Sequence, residues 1–283
     1  MVSIARKNLI EDVPRFLVAQ AGIMFAVTLV TIQTGVLNGF LRSTVLLIEN
    51  SEADLWVASE KLVQFEVTEP LVASQVESVR AVSGVEIAEP LILGSRRWYF
   101  DSGKSDPLRI VGFEPNGRLF NPGVVTAGDS ARLSDPFTAM IDQSRQEGLK
   151  VNGLGHLGRI DTLPVEIIGF TEDSQSIVSS PFLFTSLANA NAYISSGYKA
   201  ELNCKVGSSQ ALECTRTFEL APTLEETQNL APPNPLTSTD GITYILVKAA
   251  PQENLKTLAK RIESEIDGVR VLSQQELAGL NQN

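Results

Sequence analysis

One long apolar segment and several shorter periodic segments make up the hydrophobic pattern of the chain. The long segment, residues 16–41, carries no charged side chain. As an α-helix it would extend about 39 Å at 1.5 Å per residue, and about 20 residues already suffice to cross a bilayer. We therefore predict a transmembrane helix over residues 16–41.

Three other structures produce a similar apolar segment. A cleaved signal peptide has a shorter apolar stretch and a small-residue cleavage site, whereas this segment is long and continues into LRSTVLLIEN. A buried core helix of this length without a charge is unusual. An organelle presequence is poor in acidic residues, but Glu11 and Asp12 precede the segment here. An uncleaved membrane anchor fits the pattern better than any of the three.

The residues before the segment predict its orientation. Arg6, Lys7 and Arg15 precede it, and Lys and Arg accumulate on the cytoplasmic side of membrane helices. Residues 1–15 are therefore expected in the cytoplasm, either as an interfacial segment with a bend at Pro14 or as a disordered start. Everything after the helix is then expected outside the cytoplasm.

Small residues recur along the predicted membrane helix. Thr31, Gly35 and Gly39 are spaced by four, which places them on one helix face and lets a second helix approach closely. We interpret them as a candidate helix-packing face. The alternative is that Gly35 and Gly39 only loosen the end of the helix.

The remainder of the chain, residues 42–283, alternates between strand-like and helix-like segments. Helical spacing of apolar residues appears over 69–83 and 252–267, and Gly84 and Gly268 follow these segments. The predicted strands are rich in β-branched and aromatic residues; they cover residues 53–59, 85–100, 107–113, 138–142, 163–170, 242–248 and 269–272. The segment 85–100 is long, and Pro90 predicts a bend or an edge position in its middle.

Strand–helix–strand units at both ends of this region predict the α+β class. Residues 42–113 and 241–283 are expected to pair into one α/β subdomain, because each unit alone is too small to cover its own helix. The segment between them, 114–240, is richer in Gly, Pro, Ser and Asn. We predict that it forms an inserted, mostly β subdomain, distal to the membrane, whereas both ends of the α/β subdomain face the membrane.

Composition excludes several classes of protein. With 43% apolar and 20% charged residues, the chain is too apolar for a disordered protein. Its net charge is −10, and no basic stripe of the kind that binds nucleic acid is present, so no nucleic-acid partner is expected. The only histidine is His156, which excludes a metal site with several histidines from one chain.

Catalytic motifs are weak or missing in the sequence. Residues 153–158 match GxGxxG, but a dinucleotide site needs a strand before this motif and a helix after it. Here a polar segment precedes it and a strand-like segment follows, which favours a glycine-rich turn. Neither the phosphate-binding GxxxxGK[ST] motif nor the nucleophile motif GxSxG occurs. We therefore assign no catalytic, cofactor-binding or metal-binding residue and expect no cofactor.

The two cysteines, Cys204 and Cys214, lie ten positions apart. If the predicted topology is right, they lie in a compartment in which disulfides form and persist. A disulfide between them is the favoured interpretation. Two free, buried thiols are the alternative.

The segments described so far resemble one family of membrane proteins. The opening SIARKNLIEDVPRFLVAQAGIMFAVTLVTIQTGVLNGF is similar to the first membrane helix of the MacB/FtsX-type ABC transporter permeases, nearest to their DevC-like branch. The order ADLWVAS, VRAVSGVEIAEPL, LRIVGFEPN, VEIIGF, ITYILVKA and DGVRVLSQQEL resembles the extracytoplasmic domain of that family. The resemblance covers nearly the whole chain and lies in pattern and order.

The resemblance implies the permease subunit of an exporter in the inner membrane. In that family a separate cytoplasmic ATP-binding subunit hydrolyses ATP, the permease works as a homodimer, and the external domain docks on a periplasmic adaptor protein. The DevC-like branch is associated with export of a lipid or small amphiphile. The membrane helix and the external domain are expected to move together in the bilayer, with no enzymatic activity in this chain.

The sequence departs from the family pattern at its end. Such permeases normally continue with three more membrane helices, whereas this sequence stops at Asn283. We therefore expect a fragment of a four-helix permease or a chain that has lost the remainder. Two alternative functions stay open: a single-pass anchored protein whose external domain binds a partner or acts as a scaffold, and an anchored extracytoplasmic enzyme.

Overall fold

A computed structural model of the chain describes residues 13–43, 45–176, 179–196, 200–206, 212–218 and 230–280. The chain divides into two units, Met1–Ser43 and Thr44–Asn283. Each unit is described below by itself.

The first unit contains helix α1, Val13–Ser43. Its portion Val13–Phe40 is long and apolar enough to cross a membrane, and it is the one such helix in the described part of the chain. The predicted helix over residues 16–41 is therefore confirmed. Pro14 lies in the first described turn of this helix. The predicted interfacial segment falls largely on residues 1–12, outside the described residues.

The second unit is a mixed α/β structure, which confirms the predicted α+β class. Its helices are α2 (Leu46–Glu49), α3 (Ser74–Ala81), α4 (Leu187–Ser195), α5 (Leu255–Glu265) and α6 (Gln274–Leu280), with 3₁₀ turns at Ser130–Ser134 and Gln143–Arg145. Its strands are β1 (Leu55–Ser59), β2 (Leu71–Val72), β3 (Val85–Tyr99), β4 (Ser105–Phe113), β5 (Val124–Gly128), β6 (Thr138–Asp142), β7 (His156–Ile160), β8 (Leu163–Glu172), β9 (Phe182–Ser186), β10 (Ala200–Val206), β11 (Leu212–Phe218), β12 (Gly241–Ile242), β13 (Tyr244–Ala249) and β14 (Val269–Ser273).

One sheet holds most of these strands together. In the described residues its order is β14-β1-β13-β3-β4-β9-β6-β8-β5, and β7 pairs with both β3 and β8. Strands from the two terminal segments are neighbours, because β1 pairs with β13 and β14. Strand β13 lies between β1 and β3, which explains its apolar residues on both faces.

Part of this sheet closes on itself. Hydrogen bonding runs from β3 to β4, β9, β6, β8 and β7 and returns to β3. Helix α4 packs against β3 and β4, where Gly112 has no side chain to collide with Ala190. The hydroxyl of the buried Tyr193 on α4 donates to the carbonyl of Pro164 on β8 at 3.0 Å. The helix therefore ties two sides of the closed circuit together.

Two apolar clusters cover the two faces of the sheet. The first contains Val76 and Val79 of α3 and Leu258 and Ile262 of α5, so the centres of both predicted helical stripes face the core. At about 1.5–3 kcal/mol per large side chain, their burial stabilises the attachment of both helices. Val72 and Leu255, which begin the two predicted stripes, are exposed instead, and Val72 belongs to β2. The second cluster includes Trp56 of β1.

Strands of the inserted segment, residues 114–240, form backbone hydrogen bonds with strands from the rest of the unit. Strand β9 pairs with β4, and β7 pairs with β3. At the start of the unit, the amide of Glu52 donates to the carbonyl of Leu119 at 2.8 Å. Parts of this segment therefore contact the point at which the chain enters the domain. The division into proximal and distal subdomains stays a prediction.

Carboxylates cover the open edge of β14. The backbone amide of Val271 donates to Glu263 at 2.8 Å, and that of Ser273 donates to Glu276 at 2.9 Å. Both amides therefore point away from the neighbouring strand β1. An open row of such amides is a template for pairing with another chain, and here two of them are occupied by side chains.

A buried polar cluster joins the end of β6 to the segment after β8. Asp142 accepts hydrogen bonds from the amide of Ser144 at 2.9 Å and from the hydroxyl of Ser174 at 2.9 Å. The Ser174 hydroxyl also lies 2.8 Å from that of Thr171. Burial alone raises the pKa of Asp142, but hydrogen bonds from Ser144 and Ser174 outweigh burial and hold this pKa below its usual value.

We predict that Asp142→Ala lowers the free energy of unfolding by about 1–3 kcal/mol at pH 7, because it leaves buried donors without an acceptor. The carboxylate stabilises the fold above its unfolded pKa of about 3.9, and this contribution is lost as the pH falls through the lower folded pKa. Denaturant unfolding of variant and parent at pH 7 and at about pH 3 measures the difference. The exposed Asp267 provides the matched Asp267→Ala control, with an expected change within about 0.5 kcal/mol. An equal loss at both pH values would contradict the role of the ionised carboxylate.

Candidate functional site

The predicted helix-packing face lies on α1. Thr31, Gly35 and Gly39 are exposed within the described unit, and no heavy atom outside the local helix backbone lies within 4 Å of a side chain added at either glycine. The Thr31 hydroxyl donates to the carbonyl of Val27 at 2.8 Å. This hydroxyl therefore needs no partner outside the helix, and the absence of side chains at the two glycines leaves room for a second helix to approach this face. That a helix packs there stays a prediction.

In the second unit the chain enters and leaves at the same end. Leu55 of β1 pairs with Ser273 of β14 on one side and with Val247 of β13 on the other. Val247 in turn pairs with Ala88 near the start of β3, so these residues lie at the same level of the sheet. The side-chain amide of Gln274 donates to the carbonyl of Ser51 at 2.7 Å. The first segment of the domain is therefore tied directly to its last helix.

The β3–β4 hairpin extends away from this end. Tyr99, the last residue of β3, lies eleven residues beyond Ala88, which corresponds to roughly 36 Å along an extended strand. Strand β7 reaches the same place, because Tyr99 pairs with Arg159. The turn after β3 and the start of β7 thus lie together at the far end of the domain.

A groove of about 540 Å³ opens between these two segments. We call it the hairpin groove; residues 98–103, 149–150 and 156–159 line it. Its size falls within the range of about 300–1,000 Å³ that is typical of small-molecule sites. Aromatic and aliphatic side chains form most of its wall.

A tryptophan and a glycine shape the floor of the hairpin groove. Trp98 is 1% exposed, and its ring stacks on that of His156 with centroids 6.2 Å apart. A side chain at Gly158 would approach the Trp98 ring to 2.2 Å. Only glycine at this position lets the indole lie against the backbone of β7.

Two cations lie over the aromatic wall of the groove. The Nζ atom of Lys150 is 5.4 Å from the Phe100 ring centroid, and the guanidinium carbon of Arg159 is 4.9 Å from that of Tyr99. Attraction between a cation and the ring face stabilises such contacts by about 0.5–1 kcal/mol at exposed sites. Both cations therefore stay beside the groove in the absence of a ligand.

The structure explains the glycine-rich motif at residues 153–158. Residues 153–155 form a turn and residues 156–158 begin β7, so a strand and not a helix follows the turn. This agrees with the predicted glycine-rich turn and lacks the strand–helix context of a dinucleotide site. His156 lies within the predicted turn, but in the structure it begins β7 and lines the hairpin groove. The described parts of the chain contain no group of three His, Cys, Asp or Glu side chains that could hold a metal ion.

Sequence reasoning missed Trp98, Lys150 and Arg159 as site residues. They belong to three separate segments, and only the register of β3 with β7 brings them together. The useful signal was Leu154 and Leu157 within a polar, glycine-rich stretch. These side chains are 53% and 65% exposed, which is more apolar exposure than a simple turn requires.

Strands β10 and β11 carry the two cysteines. They form an antiparallel pair apart from the main sheet, and Cys204 lies directly opposite Cys214 in its register. Opposed residues in such a pair have Cα atoms about 4.5–5.5 Å apart, a separation that a disulfide can bridge. The backbone thus permits the predicted disulfide, which stays a prediction.

A family model described as the MacB-like periplasmic core domain matches residues 16–265 of the chain. Solved structures are also similar. The periplasmic region of MacB from Actinobacillus actinomycetemcomitans is 12% identical, with 83% of this chain and 96% of that chain covered and a TM-score of 0.49. The extracellular domain of the noncanonic ABC-type transporter YknZ from Gram-positive bacteria is 11% identical, with 72% and 90% covered and a TM-score of 0.44. No curated protein matches the sequence significantly.

We predict that Cys204 and Cys214 form a disulfide when the chain is made in an oxidising compartment. On the loop-entropy model, closing this short loop stabilises the hairpin by roughly 2–3 kcal/mol. Peptide mass spectrometry without reduction should find one cross-linked species, and prior reduction should leave both thiols open to alkylation. Alkylation of both thiols in the unreduced protein would rule the disulfide out.

Proposed function

Because the chain belongs to the family defined by the MacB-like periplasmic core domain, we propose that it is the permease subunit of an ABC-type exporter. The observation that carries this proposal is the extent of the family match, residues 16–265. The match begins inside α1, the helix with the length and apolar character of a membrane span. It then continues through nearly the whole α+β domain.

Energy for export is supplied by another subunit in this proposal. MacB-like permeases work with ABC ATPase partners, and this sequence has no GxxxxGK[ST] motif. We therefore propose that a separate cytoplasmic ATP-binding subunit hydrolyses ATP. The chain transmits the resulting motion and does not catalyse a reaction.

The family and the apolar helix support a membrane-anchored protein with an extracytoplasmic domain. We place α1 in the inner membrane with the N-terminus in the cytoplasm, since Arg6, Lys7 and Arg15 precede the apolar segment. A second permease copy then packs on the face of Thr31, Gly35 and Gly39 to form a homodimer.

The contacts within the α+β domain suit the transmission of motion from one end to the other. Displacement of the segment before β1 acts directly on α6 through Gln274. Strand β3 continues from this end to the hairpin groove. We propose that the inserted segment docks there on a periplasmic adaptor protein, with the exposed Leu154 in the contact. The cargo in this proposal is a lipid or small amphiphile.

The orientation predicts the outcome of protease treatment. Protease added to intact spheroplasts should remove the domain after Arg42, because that domain lies outside the cytoplasm. Immunoblotting against the domain measures its loss, and a cytoplasmic marker protein should survive as the control. Full protection of the domain would overturn the orientation.

The coupling role predicts a specific defect for Leu154→Asp. A charge at this exposed apolar position should reduce adaptor association and export at least about fivefold, since interface hot spots contribute 1 kcal/mol or more. Association with the ATPase subunit should not change. Val63→Asp is the matched control, because Val63 is 70% exposed and lies outside the inserted segment. Export unaffected by Leu154→Asp would contradict the proposed contact, and ATP hydrolysis by the purified chain alone would contradict the proposed role.

A further inference from the structure

We propose that the hairpin groove is a binding site for an anionic amphiphile, a molecule with an apolar body and one acidic group. This inference goes beyond the export proposal, because binding at the groove requires neither ATP nor an adaptor. It rests on the size of the groove, the chemistry of its walls and the sign of its charges.

The walls of the groove suit an apolar body. Phe100 and Leu157 present aromatic and aliphatic surface to it, and Leu157 is 65% exposed. Covering such surface is favourable by about 25 cal/mol for each Å² removed from water. A volume of about 540 Å³ accommodates one small molecule rather than a folded partner.

The charges of the groove oppose those of the domain that carries it. The sequence beyond residue 42 contains 19 basic and 31 acidic residues, whereas the groove is lined by Lys150 and Arg159 against the single acidic residue Asp101. A local cluster of positive charge in an acidic protein attracts anions to that place and repels them elsewhere. The groove therefore selects an acidic head group.

The positions of the two cations fit this selection. Lys150 and Arg159 lie over Phe100 and Tyr99, and neither forms an ion pair within the described parts of the chain. Their positive charges are thus held at the rim of the groove, where Asp101 is the one acidic lining residue and forms no ion pair with either cation. The carboxylate, sulfate or phosphate of an amphiphile can pair with these cations while the apolar body of the same molecule lies against the groove wall.

The test uses the full chain in phosphatidylcholine nanodiscs and a photoactivatable diazirine analogue of dodecanoate. After illumination, peptide mass spectrometry should find label in residues 98–103 or 149–159. Unlabelled dodecanoate should compete for this labelling. Dodecyltrimethylammonium has the same chain length and the opposite charge. It should not compete for the groove, although the net negative charge of the domain attracts cations in general.

Point variants test the two cations directly. Lys150→Ala and Arg159→Ala should each lower groove labelling by about two- to fivefold. Both residues are at the surface, so the fold should survive. Lys260→Ala is the matched control, because Lys260 is an exposed lysine on α5, and it should label like the parent. The Leu154→Asp variant should be labelled like the parent, because Leu154 does not line the groove. This variant therefore separates failure of the proposed adaptor contact from failure of the proposed groove site.

A further arm identifies the source of the amphiphile. Competition by a water-soluble short-chain phosphatidylglycerol, added to the chain in phosphatidylcholine nanodiscs, assigns the site to an anionic lipid. Labelling that persists in its presence assigns the site to a free amphiphile. Labelling confined to α1, equal competition by the cationic amphiphile, or unchanged labelling in both Lys150→Ala and Arg159→Ala would overturn the proposal.

Discussion

The pairing of strand β3 is the constraint on which the rest of the domain depends. A buried strand must satisfy its backbone N–H and C=O groups, and β3 does so by changing partners along its length. It pairs with β13 up to Leu91, with β4 from Ile92 onward and with β7 at Trp98 and Tyr99. Pro90, which has no N–H to donate, lies just before the pairing with β4 begins. Both sequence-distant halves of the domain are attached to this one strand.

Local patterns predicted the elements well where burial is periodic. The stripe of Leu258 and Ile262 correctly indicated α5, and residues 138–142 match β6. Strand β9 and α4 were missed, because the apolar run before Asn189 is short and the helix is rich in small polar residues. A usable signal was Ser186, whose side chain caps α4 by accepting from the amide of Asn189.

The closed circuit of strands and the hairpin groove could not be predicted from the sequence. Each follows from register, and register is set by pairings between strands far apart in the chain. Trp98 and His156 are an example, because their stacking depends on the alignment of β3 with β7 and on the absence of a side chain at Gly158. The family resemblance supports the proposed function, which no local motif could indicate.

The glutamates at the edge of β14 have a consequence for acid conditions. Hydrogen bonds from the backbone and side chain of Ser273 lower the pKa of Glu276, so this carboxylate keeps its charge to a lower pH than an ordinary glutamate. While Glu276 remains ionised, the amide of Ser273 is occupied and the strand is a poor template for fibril-like stacking of copies crowded on a surface. Strong acid weakens this acceptor, and aggregation through this edge becomes the expected route of failure for the domain.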